Sequence, residues 1–183
     1  MIIMTEDEIN RNLFLFDMVD KKSTKEIVSQ IYKINDYDDR EEKIKKDYIR
    51  EPIKLIIGSY GGYVDYKFVI ISTIITSKTP VYTHIAGAAM SSSADIAMCG
   101  TYRTASKFAN IMVHDMSAGA YGNASHIKDR TIEINNLRNM NIEFFKTYSK
   151  IPENIIDEII INGRDIYLTA DEALKYGIID EIV

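Results

Sequence analysis

Ile85-Ala-Gly-Ala-Ala-Met-Ser-Ser-Ser-Ala-Asp-Ile-Ala-Met98 is the stretch on which the reading of this chain turns. A β-branched segment runs into small residues, three serines follow, and a second apolar segment opens. That order predicts a strand, a tight turn and a helix start. A serine at such a junction has two readings. It caps a core helix, its side chain accepting from the first free helical amides. Or it presents its hydroxyl outward, beside amides free to bind developing negative charge. The local sequence leaves both open.

Working outward on the N-terminal side, Pro80-Val-Tyr-Thr-His-Ile85 predicts the strand that feeds this turn. Residues 64–77, with Phe68, Val69, Ile70, Ile71, Ile74 and Ile75, are too long for a strand and predict a buried helix. Before it, Ile53-Lys-Leu-Ile-Ile57 is nearly continuous in apolar residues, as in strands covered on both faces, and ends in Gly58-Ser-Tyr-Gly-Gly62. Paired glycines after a buried strand allow a ligand to approach the backbone, or simply make a turn. Residues 12–16 predict a first strand, and Ser23 with Glu26 a capping box opening a helix through Ile27, Val28, Ile31 and Ile34. Residues 36–50 are dense in charge and read as a surface insertion, a solvated loop or exposed helical excursion. Strand and helix alternate throughout, which implies an α/β fold with a mostly parallel sheet and right-handed crossovers.

On the C-terminal side, Ala109-Asn-Ile-Met-Val-His114 is a short apolar run ending in a polar residue, followed by a loop with Gly119 and Gly122. Residues 125–150 place Ile127, Ile134, Leu137, Met140, Phe144 and Tyr148 at helical spacing. A helix of that length exceeds what one small core covers, so part of it is expected to project and pack against another subunit. A shorter helix is expected from Pro152. Asp165-Ile-Tyr-Leu168 predicts a strand, Thr169 with Glu172 a capping box, Gly177 a helix stop, and residues 178–183 a closing strand.

Composition narrows the function. A chain of 183 residues suits one domain, residues 1–183. A net charge of −5 offers no footprint for nucleic acid. Cys99 is the single cysteine, so no intrachain disulfide or zinc cluster is implied, and after Ile96-Ala97-Met98 it reads as a buried small hydrophobe. Residues 1–8 do not resemble a signal peptide, and no run approaches the ~18 apolar residues that span a bilayer. A cytoplasmic protein with no membrane partner is expected.

Serine chemistry needs a hydroxyl, an imidazole to take its proton, a group that orients the imidazole, and donors for the oxyanion. In open α/β sheets such groups gather beyond the carboxyl ends of strands, where Gly61-Gly62, the serines and His114 all fall. Among three histidines, His84 lies mid-strand and His126 at the start of the long helix, which leaves His114 best placed. With 27 acidic residues, spacing does not choose the carboxylate.

Gly61-Gly62 after a buried strand, Gly87-Ala-Ala-Met-Ser91, Ile111-Met-Val-His114 and Arg164-Asp-Ile-Tyr-Leu-Thr-Ala-Asp-Glu-Ala-Leu-Lys-Tyr-Gly-Ile-Ile-Asp180 together resemble the Clp protease proteolytic subunit, the ClpP family of serine peptidases. The resemblance runs from about Asn12 to the C-terminus. It implies repeated ββα-like units of the ClpP/crotonase type, with the long helix as a projecting handle by which two heptameric rings stack into a closed chamber. It implies Ser91 as nucleophile, His114 as general base, Asp165 as its orienting group, and the amides of Gly62 and Ser92 as the oxyanion hole. A peptide is expected to lie as an added strand along Gly61 to Tyr63 and along Asp115 and Met116. The family commonly works with a ring-shaped ATPase that unfolds polypeptide substrates, which implies that the peptidase subunit itself needs no metal, nucleotide or other cofactor. Tyr60 stands where the family commonly has proline, Ser93 where it has glycine, and Ser92 where it often has methionine. Two alternatives compete: a non-catalytic ring protein on the same scaffold, and a crotonase-type acyl-CoA enzyme.

Overall fold

The computed structural model describes residues 9–183. Residues 1–8, expected to carry no leader, lie outside the described residues. Among the described residues there are seven strands and six helices. In order these are β1 (Asn12–Leu15), α1 (Lys21–Ile44), β2 (Ile53–Ser59), α2 (Val64–Thr76), β3 (Val81–Met90), α3 (Ser92–Met98), β4 (Tyr102–Ala105), β5 (Asn110–Val113), α4 (Ala124–Tyr148), α5 (Glu153–Ile160), β6 (Ile166–Thr169), α6 (Ala170–Lys175) and β7 (Glu181–Ile182). The strands form one sheet in the order β1-β2-β3-β4-β7, with β5 added to β3 and β6 to β5. Every pairing is parallel except β5 with β6. The mostly parallel α/β architecture expected from the alternation is the one observed.

β3 is the axis of this sheet. Its first half, Tyr82 to Ile85, pairs with β4, and its second half, Ala88 to Met90, pairs with β5. The sequence suggested a turn at Gly87; instead the strand continues to Met90, because β5 offers it a second partner. β4 escaped the sequence reading because Tyr-Arg-Thr-Ala has no apolar alternation. Ile53, Leu55, Ile57, Ile70, Ile85 and Ile96 are fully buried and tie sheet to helices. On the first strand Leu13 and Leu15 point inward while Phe14 stays 57 % exposed.

α1 begins earlier and ends later than expected. Asp20, not Ser23, is the N-cap, accepting from the amides of Lys22 and Ser23, while the Ser23 hydroxyl closes the capping box on the Asp20 amide. The residue taken for a cap is therefore the box's third helical position. At the other end the helix runs through Ile44 into the charged segment, whose Tyr37 and Asp38 are buried. Asp38 has no exposed surface. It accepts from Arg11 Nη2 at 2.5 Å and Nη1 at 3.1 Å, Tyr48 Oη at 2.7 Å and Thr79 Oγ1 at 2.5 Å. This charge is a staple joining helix, first strand and the turn before β3, not part of a solvated face.

Burial pushes the Asp38 carboxyl up, but the bonds from Arg11, Thr79 and Tyr48 outweigh it and hold it below the usual carboxylate range. A carboxyl depressed in the fold stabilises above its unfolded value near ~3.9, and that stability is lost as pH falls through the lower folded value. Thermal scans of Asp38→Asn are therefore expected to show lower stability at neutral pH and a shallower loss below about pH 4 than the parent. Parallel acid limbs in the two proteins would show that Asp38 does not carry this dependence.

α4 differs from the other helices. Residues 124–133 are all exposed, and burial begins only at Asn141, Phe144 and Phe145 near its C-terminal end. Its apolar Ile127 and Ile132 are 41 % and 52 % exposed. Thr169 and Glu172 form the capping box of α6 as expected, and Gly177 follows that helix at φ 62°.

Candidate active site

Four strand ends converge because of the pairing register. Met90 of β3 faces Met112 of β5, so Ser91 emerges close to His114, the residue after that strand. Val113 faces Ile166 across the antiparallel β5–β6 pair, which brings Asp165 beside His114. Ser59 of β2 faces Ala89, so Gly61 and Gly62 enter from the other side.

Ser91 is the hinge between β3 and α3. Its backbone, φ 55° and ψ −131°, lies in a region that costs a non-glycine residue of order 1–3 kcal/mol. The surroundings hold it there. Its amide donates to Met112 O at 2.8 Å, and its carbonyl accepts from Ala94 N at 2.9 Å and Asp95 N at 3.2 Å. Although it occupies the N-cap position, its hydroxyl makes no cap bond. Instead Ser91 Oγ lies 2.7 Å from His114 Nε2. The capping reading of Ser91 is thus set aside by where its oxygen points.

His114 Nδ1 faces Asp165 Oδ1 at 3.4 Å, longer than the ~2.7–2.9 Å of a charge-assisted hydrogen bond. The Asp165 side chain is half exposed, so this is the loosest contact of the three groups. Asp115, the neighbouring carboxylate, turns elsewhere: its Oδ1 accepts from the Met116 amide and its Oδ2 lies 2.9 Å from Arg138 Nε. That last contact is an ion pair rather than a hydrogen bond, since the Nε–H of Arg138 meets no acceptor in bonding geometry.

The donors beside Ser91 come from glycine and from a helix start. Among the described residues, the amides of Gly62 and Ser92 donate to no protein acceptor. A side chain at Gly61 (φ 94°) would come within 2.5 Å of Met90 O and 2.8 Å of Ser91 Cβ; one at Gly62 would come within 2.3 Å of Val19 O. The backbone packs against the elbow at a distance that only glycine permits. The Ser92 hydroxyl donates to Gly62 O at 2.9 Å, joining helix start to glycine loop. Ser92 is 3 % exposed, so its side chain is not available to line a binding pocket.

Sequence reasoning missed the role of Ser93. Fully buried, its Oγ lies 2.6 Å from Ser59 O and 2.8 Å from Met90 O, and accepts from Met90 N at 2.9 Å. A hydroxyl where the family commonly has glycine thus ties the elbow to the end of β2. It also missed Lys67, whose Nζ donates to Asp95 Oδ2 at 2.7 Å and Asn141 Oδ1 at 2.8 Å, all buried, bridging α2, α3 and α4. The available signal was the placing of Lys67 directly before the apolar run Phe68 to Ile71, and of Asp95 among the small and apolar residues of α3.

A cleft of about 360 Å³ opens at Ser91 and His114, lined by Gly62, Tyr63, Val64, Met116 and Leu137 among others. Gly61 and Asp115 are not on its wall. Gly61 is occupied within the fold, its amide donating to Ser59 Oγ and its carbonyl accepting from Val19 N. The Tyr63 amide donates to Val19 O, leaving Gly62 as the free donor on that edge. A larger cleft of about 620 Å³ lies between β1, the end of α1 and the loop before β2, away from these groups.

The remaining candidates are elsewhere. His84 pairs through Nδ1 with Thr104 Oγ1 at 2.9 Å, and burial lowers its basicity. His126 is exposed in the first turn of α4. Cys99 is buried, and desolvation pushes its thiol up, so it is protonated and inert. No group of three or more His, Cys, Asp or Glu able to hold a metal occurs among the described residues, and none of their helices is long and apolar enough to cross a membrane.

What the arrangement can do is limited by its parts: a hydroxyl on an imidazole, a carboxylate behind it, and two free amides. Comparison with known proteins gives the context. The chain is 30 % identical to "ATP-dependent Clp protease proteolytic subunit 1" of Protochlamydia amoebophila, over 95 % of this chain and 81 % of that protein. It is 28 % identical to the "ATP-dependent Clp protease proteolytic subunit" of Deinococcus radiodurans, over 95 % of this chain and 80 % of the relative. A subunit 1 of Chlamydia caviae is also 28 % identical, over 94 % and 86 %. The family model described as Clp protease matches residues 3–183. With β3, β5 and β6 delivering the same ordered segments that match spans, the chain belongs to the Clp protease family.

Proposed function

We propose that this protein is the serine endopeptidase subunit of a chambered protease, cutting unfolded polypeptides through an acyl-enzyme. The observation that carries the reading is Ser91 Oγ at 2.7 Å from His114 Nε2, on an elbow flanked by the free amides of Gly62 and Ser92. For Nε2 to accept the hydroxyl proton, the ring keeps its own proton on Nδ1, toward Asp165. Ser91 Oγ attacks the peptide carbonyl as its proton passes to Nε2. The carbonyl π pair moves onto oxygen, where the two amides hold the charge. Collapse breaks the C–N bond, with His114 returning the proton to the leaving nitrogen. A water then gives its proton to His114 and attacks the ester, releasing the acid and the Ser91 hydroxyl.

The exposed apolar residues of α4 support its use as the handle joining stacked heptameric rings, and a ring-shaped ATPase is the proposed partner, in keeping with the words "ATP-dependent" in the names of the relatives. The reading places the protein in the cytoplasm and requires no metal or nucleotide in this subunit. An acyl-CoA enzyme of the crotonase type would hold a thioester oxygen on backbone amides and leaves the Ser91–His114 pair without a role. A fluorophosphonate probe added to the assembled protein is expected to label Ser91, with labelling lost in Ser91→Ala. An assembled particle that stays unlabelled would support the non-catalytic ring protein instead.

A further inference from the structure

The wall of the cleft at Ser91 carries one carboxylate that, among the described residues, has no partner of its own. Two charged residues line it: Asp65 in the first turn of α2 and Arg130 on α4. Arg130 is already paired, its Nη1 lying 2.6 Å from Glu133 Oε2. Arg138, the residue after Leu137 on the same helix, lies against Asp115. Asp65 is exposed and, among the described residues, has neither a cationic partner nor a hydrogen bond to its side chain. The rest of the wall is mainly apolar or backbone: Tyr63, Val64, Met116, Ala118 and Leu137.

The withdrawal of Ser92 matters here. Its hydroxyl is committed to Gly62 O, so the residue beside the nucleophile adds no side chain to the pocket. The pocket's character is left to the α2 start and the wall facing it. Apolar surface with one unpaired carboxylate suits a long side chain with an aliphatic stem and a cationic head, since stems of this kind cover apolar surface while the charge stays near water.

Resting on the serine-peptidase reading above, we propose that Asp65 is a specificity-determining residue. It directs the cleft to peptides with lysine or arginine at the residue whose carbonyl Ser91 attacks. An ion pair in an open cleft is modest, so the expected preference for lysine over leucine is about fivefold in kcat/KM, falling as ionic strength rises.

The experiment uses the assembled full chain and three fluorogenic peptides that differ only in lysine, leucine or glutamate before the scissile bond. The lysine-to-leucine ratio of kcat/KM is read within each protein, which cancels any general loss of activity. The ratio is expected to fall to near unity in Asp65→Asn, and Asp65→Lys is expected to favour the glutamate peptide. A parent enzyme that cuts the leucine peptide as well as the lysine one, or a ratio unmoved by Asp65→Asn, overturns the proposal. Fluorophosphonate labelling of the same samples separates the two readings. Protein labelled at Ser91 without a lysine preference rejects the role of Asp65 alone, whereas protein that neither labels nor cuts any peptide rejects the serine reading and this one with it.

Discussion

Ser91→Ala in the assembled protein is expected to lower peptide turnover by about 10⁶-fold, and His114→Ala by a similar factor, because hydroxyl and imidazole act as one unit. The double variant should therefore be little worse than either single one. Asp165→Asn is expected to cost less, at most about 10⁴-fold. Its carboxylate stands 3.4 Å from Nδ1 and is half exposed, so its hold on the ring is weak in this geometry. Whatever survives in Ser91→Ala would come from the Gly62 and Ser92 amides and from substrate binding. The measurement is kcat for a short fluorogenic peptide, with intact assembly checked by sedimentation. Ser91→Ala retaining turnover within about tenfold of the parent would remove Ser91 from the mechanism.

The second large effect concerns stability. Lys67 and Asp95 are 3 % and 5 % exposed, and their contact at 2.7 Å, with Asn141 as third partner, is shut off from water. The rings of Phe68 and Phe144 flank the ammonium at 4.5 Å and 6.0 Å from their centroids. Removing one partner leaves a buried charge uncompensated, a loss of about 3–5 kcal/mol. Asp95→Ala and Lys67→Ala should each lower the thermal midpoint by about 10 °C for a domain of this size. Replacing both by apolar residues, Lys67→Met with Asp95→Leu, should recover most of that loss, since the desolvation cost disappears with the attraction. Differential scanning at one fixed subunit concentration makes the comparison, because assembly shifts apparent stability. A midpoint lowered by less than about 2 °C in Asp95→Ala would show the pair to be solvated in solution.

The two sites of buried charge explain where sequence patterning misleads. Residues 36–50 look solvated because charge density is a composition property, whereas Asp38 is buried through Arg11 and Thr79, which no local window contains, with Tyr48 the one partner inside the segment. Lys67 likewise finds Asp95 and Asn141 on other helices. Local periodicity reports which face is apolar; it does not report a charge whose counterion arrives from elsewhere in the chain. The turn expected at Gly87 fails for a related reason. Small residues weaken a strand only if nothing pairs with it, and β5 does.

By itself the sequence determined the α/β alternation, the capping box at Thr169 and Glu172, the glycines after β2, and the junction at which a serine leaves a strand for a helix. These follow from short-range physics: periodicity, capping and backbone freedom. The resemblance among ordered segments chose Ser91, His114 and Asp165 from three serines, three histidines and many acids. Only the tertiary structure decided which group each serine touches. β3 pairing with β5, and β5 with β6, brings residues 91, 114 and 165 within contact, a matter of register across distant segments. Within that frame Ser91 is held at φ 55° with its hydroxyl on His114, Ser92 reaches Gly62 O, and Ser93 turns inward to Ser59 O. Three identical side chains in a row make different contacts because a helix start points successive residues in different directions, and the sheet and glycine loop present each with a different partner.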